Sequence, residues 1–104
     1  MNLRLLRRVE AELARQIDYY EGERSGLGRE FLERVAAAME QAARFPRSGT
    51  RVVHAGYAIE VRRFQPSQFP FHLFVAVRTD ELVVLAVAHH KRRPGHWSDR
   101  LGEV

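Results

Sequence analysis

Apolar residues recur every three or four positions through the first half of the chain and every second position through much of the rest. Val9, Leu13, Ile17 and Tyr20 are spaced by four, four and three, the stripe of an amphipathic helix over about residues 8–24. Glu10, Glu12, Arg15 and Asp18 cover its other face. Ser25-Gly26-Leu27-Gly28 breaks the stripe, and its two glycines suit a tight connection between helices. A second stripe follows in Leu27, Phe31, Val35, Ala38, Ala42 and Phe45. Pro46 ends it, because proline cannot continue the hydrogen-bond ladder and disfavours helix at the residue before it. The pattern predicts a helix hairpin over about residues 8–45. Leu3 to Leu6 alternates weakly and is a candidate short strand ahead of it.

Past the Arg47–Thr50 loop the period changes to two. Arg51 to His54 is a short strand and Gly56 a turn. In the run from Tyr57 to Phe64, Tyr57, Ile59, Val61 and Arg63 share one face and Ala58, Glu60 and Arg62 the other. After a turn at Gln65–Gln68, Phe69, Phe71, Leu73, Val75 and Val77 alternate with Pro70, His72, Phe74, Ala76 and Arg78. Thr79-Asp80-Glu81 turns into Leu82–Ala88, apolar throughout and rich in valine, as a central strand is. Helices first and a β-meander over about residues 51–90 afterwards predict an α+β domain, with the hairpin packed on a small antiparallel sheet. At 104 residues the chain is one domain, 1–104, closed by a basic tail, 91–104.

Charge sharpens this picture. Residues 1–45 hold eight arginines and eight carboxylates, whereas residues 46–104 hold eight arginines and Lys91 against five carboxylates. The net charge of +4 and all five histidines therefore belong to the second half. An acidic partner, such as nucleic acid or an acidic protein segment, fits that half. The chain has no cysteine, which excludes disulfides, thiolate metal sites and a cysteine nucleophile. With no apolar run long enough to span a bilayer and no secretory signal at MNLRLLRR, a cytoplasmic location is expected.

The densest chemistry lies at His89-His90-Lys91-Arg92-Arg93-Pro94-Gly95-His96-Trp97. Its cations suit phosphate contacts, and its imidazoles suit general acid-base work. Trp97 either stacks on a target or packs the tail onto the core. Adjacent strand residues point to opposite faces, so His89 and His90 do not make a metal site, and no cofactor motif is present. Arg62, placed on the open face with Glu60, joins His72, Arg78 and the tail in a basic sheet surface. The candidate target-binding residues are Arg62, Arg78, Lys91, Arg92, Arg93 and Trp97.

The series Asp18-Tyr19-Tyr20-Glu21, Gly26-Leu27-Gly28 with Phe31, Phe45-Pro46, Arg62-Arg63-Phe64, Phe69-Pro70-Phe71, Ala86-Val87-Ala88-His89 and Arg92-Arg93-Pro94 with Trp97 resembles the RelE/ParE toxin superfamily. It is most similar to the ParE-like, plasmid-stabilisation branch. The hairpin here is longer than the family's, since Gln65–Gln68 separates Arg63-Phe64 from Phe69-Pro70. The resemblance implies a helix hairpin on an antiparallel sheet. It also implies the toxin of a type II toxin-antitoxin pair and an acidic antitoxin that folds on binding.

The branches of the family differ in target. ParE-like members inhibit DNA gyrase, whereas RelE-like members cleave mRNA on the ribosome. At the two strand positions where the nuclease branch carries paired lysines, this chain has Ala58 and Glu60. His72 stands at an arginine position, Lys91 at the cation position ending the central strand, and Trp97 at that of a terminal tyrosine. Most of the nuclease set is therefore missing, and the resemblance favours a non-enzymatic gyrase inhibitor neutralised by its antitoxin. The alternatives are an mRNA endoribonuclease using His72, His90, Lys91, Arg92 and His96, and an antitoxin-binding member with little toxicity.

Overall fold

Leu3 and Leu5 project to one side of the chain and Asn2 and Arg4 to the other, which is enough for a strand once a partner is available. In the computed structural model, which describes residues 1–54 and 58–104, they form β1 (Asn2–Leu5). Two helices follow, α1 (Arg7–Glu23) and α2 (Leu27–Arg44), then a 3-10 turn at Pro46–Ser48. Strands β2 (Thr50–Val52), β3 (Glu60–Phe64), β4 (Phe71–Val77) and β5 (Glu81–His89) complete one sheet in the order β1-β5-β4-β3-β2. The tail ends in a 3-10 segment, Ser98–Glu103. No helix among the described residues is long and apolar enough to cross a membrane.

The expected antiparallel meander is β2 to β5. To it β1 adds a parallel edge strand, with Leu3 opposite Leu82 and Leu5 opposite Val84. The expected turn at Gly56 and the start of the strand at Tyr57 lie outside the described residues.

Both helical stripes face the sheet. Val9 is fully buried, and Leu13, Ile17 and Tyr20 pack against the core. From α2, Phe31, Val35, Ala38 and Ala42 are buried, and Phe31 meets Tyr20, Phe69 and Phe71 at ring distances of 5.0–5.2 Å. Phe45 departs from the expected stripe. Helix α2 ends at Arg44, so Phe45 leaves the helical path and is 62% exposed.

Gly26 takes φ 90°, and α2 begins directly after it. The Glu21 carboxylate, from the end of α1, accepts hydrogen bonds from the N–H groups of Gly26 and Gly28. It thus satisfies donors that an N-terminal serine or aspartate would otherwise take. A side chain at Gly28 would put its Cβ 2.6 Å from the Ile17 carbonyl oxygen. The glycine lets the two helices touch.

Pairing with β1 stops at Val84, and Leu85 is an extra residue where the β4–β5 register shifts. The Leu85 carbonyl accepts from Arg100 Nη1 at 2.9 Å. The same guanidinium grips Glu12 of α1 through two bonds of 3.0 and 2.7 Å. The tail therefore closes the part of the β5 edge that β1 leaves open, anchored by a buried ion pair.

Candidate functional site

Residues directly opposite in a sheet share a face. Phe71 and Leu73 of β4 face the helices, so Phe64, opposite Leu73, does as well, and by alternation so do Arg62 and Glu60. Val61, Arg63, His72, Phe74 and Ala76 face the other way. This reverses the expected placement of Arg62 on the open face. Its Nε donates to Glu60 at 2.7 Å and its Nη1 to the Gly49 carbonyl at 3.1 Å. The Glu60 carboxyl is held below its ordinary value by the hydrogen bond from Arg62, with Arg47 and Arg51 adding attraction. Arg63 is the arginine on the open side.

On that side the strands carry small residues beside one large one. Ala86 lies opposite Phe74 and Ala88 opposite His72. The space they leave admits the tail. Gly95 turns at φ 74°, the Ser98 N–H donates to the Gly95 carbonyl, and Trp97 stacks on Phe74 with centroids 5.4 Å apart. Trp97 is only 2% exposed. Of its two expected roles, packing is the one its burial permits, since a side chain buried this deeply offers no face to a base.

The tail and the sheet enclose a cleft of about 580 Å³. Arg63, His72 and Phe74 come from the sheet, His54 from the end of β2, and His90, Arg92, Arg93 and His96 from the tail. His72 and His90 lie face to face, tilted by 32° with centroids 4.2 Å apart. As expected of adjacent residues, His89 points elsewhere and meets Phe71 at 5.3 Å. No group of three or more histidine or carboxylate ligands capable of holding a metal occurs among the described residues.

Two imidazoles of the cleft are biased toward the neutral form. Burial depresses the His72 imidazole below its ordinary value, and His90 and Arg63 add positive charge beside it. Burial does the same to His96, with Arg92 and Arg100 assisting, against a hydrogen bond to the Arg93 carbonyl that favours the charged ring. That bond occupies His96 Nδ1 at 3.1 Å and leaves the buried Nε2 without a partner.

Of the expected site residues, the structure gathers His72, His90, Arg92, Arg93 and His96 around the cleft, with Trp97 as one buried wall. Lys91 is exposed beside it and Arg78 sits at the β4–β5 turn, and neither lines it. Arg63, Phe74 and His54 complete the site. Alternation already placed Arg63 opposite Arg62 in facing, and the missing signal was the register with β4.

Residues 3–94, from β1 through the start of the tail, match the family described as "ParE toxin of type II toxin-antitoxin system, parDE". The chain belongs to the ParE toxin family. It is the toxin of a type II toxin-antitoxin system, which implies a cognate antitoxin as its partner. The fold is similar to a solved structure from P. aeruginosa described as "Chromosomal ParDE TA system". The two share 17% sequence identity with a TM-score of 0.71, over 86% of this chain and 95% of that one. Comparison with curated protein sequences gives no match. The family match ends at Pro94, so His96 and Trp97, which wall the cleft in this ParE toxin, lie beyond it.

Proposed function

We propose that this ParE toxin acts in the cytoplasm as a non-enzymatic inhibitor of DNA gyrase, that Lys91, Arg92 and Arg93 contact the target, and that the antitoxin neutralises it. The observation that carries the choice of target is the state of Glu60. Where the nuclease branch of the superfamily presents paired lysines, β3 presents a carboxylate tied to Arg62 and Arg47 on the helix side of the sheet. Ala58, the other position, is exposed and precedes the strand. A phosphodiester approaching there would meet a carboxylate whose cations are already engaged by it, in place of two free lysines.

The test is a gyrase supercoiling assay with purified toxin, alone and with the product of the adjacent gene. Inhibition with trapped cleavage complexes, relieved by the neighbouring protein, is expected. Replacing Lys91, Arg92 and Arg93 together with alanine should abolish it in a folded protein, because exposed charges contribute little stability. Uninhibited gyrase together with codon-positioned mRNA cuts on ribosomes would overturn the reading in favour of a nuclease.

A further inference from the structure

Half of the sixteen arginines of this chain are neutralised. Arg4, Arg8, Arg24, Arg29, Arg44, Arg47, Arg62 and Arg100 each pair with a carboxylate. The three arginines around the cleft are among the other eight. Arg63, Arg92 and Arg93 have no ion-pair partner among the described residues, and no carboxylate lines the cavity. Like charges held around a concave surface focus a positive potential, and an anion relieves it. Arg63 comes from the sheet and Arg92 and Arg93 from the tail, so their forks approach from different walls. A single carboxylate engages one such fork, whereas a phosphoryl group offers oxygens to several.

The remaining lining mixes histidines with a few apolar side chains. Phe74, stacked on Trp97 on one face, lines the cleft with Val52 and Pro94. The volume, about 580 Å³, falls within the range of small-molecule sites. His96 also lines this space, though its Nε2 atom is buried.

We propose that the cleft is a binding site for a nucleoside phosphate, its phosphoryl group held by Arg63, Arg92 and Arg93 and its base laid against Phe74. This ligand is a small molecule distinct from the toxin's macromolecular target, and it shares Arg92 and Arg93 with the surface proposed to contact that target. Arg63, Phe74, Arg92 and Arg93 lie within the family-matched residues, and the wall at His96 and Trp97 lies beyond them.

The experiment is calorimetric titration of the full-length protein with nucleoside 5′-mono-, di- and triphosphates, with adenosine, inorganic phosphate and a single-stranded oligonucleotide as comparisons. Saturable binding at one site is expected for at least one nucleotide, tighter than for phosphate or adenosine. Arg63→Gln and Arg92→Gln should each weaken it about tenfold or more, the loss expected for a charge-assisted hydrogen bond. Arg7→Gln, on the exposed side of α1, should leave it unchanged and keep the same overall charge as the other variants. Three results would overturn the proposal. They are no saturable nucleotide binding, equal weakening by Arg7→Gln, and binding by the oligonucleotide alone. The last would assign this face to a nucleic-acid strand.

Discussion

Glu12→Ala removes the carboxylate that holds Arg100. The guanidinium side chain is 7% exposed and that of Glu12 is 17% exposed, so the variant leaves a nearly buried cation with only the Leu85 carbonyl as its acceptor. Breaking a buried pair by deleting one partner costs about 3–5 kcal/mol. The partial exposure of Glu12 places this case near the lower end, about 3 kcal/mol, because water can reach part of the site. For a domain of this size that is a fall in melting temperature of about 12 °C or more. The measurement is urea unfolding followed by the fluorescence of Trp97, the one tryptophan, three residues from Arg100. Its midpoint should fall while the urea dependence stays the same. The double variant Glu12→Leu, Arg100→Leu should recover most of the loss, because apolar residues can replace a buried pair without leaving a charge behind. A Glu12→Ala loss below about 1 kcal/mol, the range of surface pairs, would refute the claim that this pair anchors the tail.

Three further outcomes follow from the packing and electrostatics. Trp97→Ala should cost about 3–5 kcal/mol, the range for deleting a buried aromatic, measured by circular dichroism melting; a near-native melt would show that the tail does not pack. Gly28→Ala should cost about 1–3 kcal/mol because the helices must part to admit the methyl group, and an unchanged urea midpoint would contradict the 2.6 Å approach to Ile17. His72 and His96 are held below the ordinary imidazole value of 6.5 in the fold, so the unfolded chain binds the extra protons. Stability should therefore fall as pH drops from above 6.5 through the depressed folded values, then level off. Unfolding at about pH 8 and about pH 5.5 should show this loss, and the His72→Gln, His96→Gln variant should show less of it; an equal loss in that variant would place the effect elsewhere.

The helix hairpin was legible because a stripe at intervals of three and four admits one buried face. Where the stripe ran past the helix, at Phe45, periodicity had no means of seeing that the last turn closes at Arg44. The strand faces were harder. Arg62 and Arg63 are chemically alike, so alternation separates them without saying which faces the helices. That is decided by Phe64 meeting Leu73 across β3 and β4, a pairing between segments joined by a loop. The cleft was half visible: the tail cations and His72 stood out as candidates, while its shape depends on Trp97 folding back onto Phe74. Ala86 and Ala88 hold the one local trace of that fold. They are small residues alternating within an otherwise bulky strand, on the face where the tail needs room.

β1 lies beside β5, so the earliest strand has no partner until the fifth strand has been made. Arg4 and Glu81, bridged across this junction, are 77 positions apart along the chain. At about 5–20 residues per second, roughly 4–15 s of translation separate them. The helices can form in that interval, but Leu3 and Leu5 have no neighbour to pair with, and Arg63 waits for the tail that completes the cleft. Closure between such distant segments also slows folding once synthesis has passed them. A ribosome making this toxin therefore carries an incomplete molecule for most of its synthesis, and those seconds are available to an antitoxin that is already present.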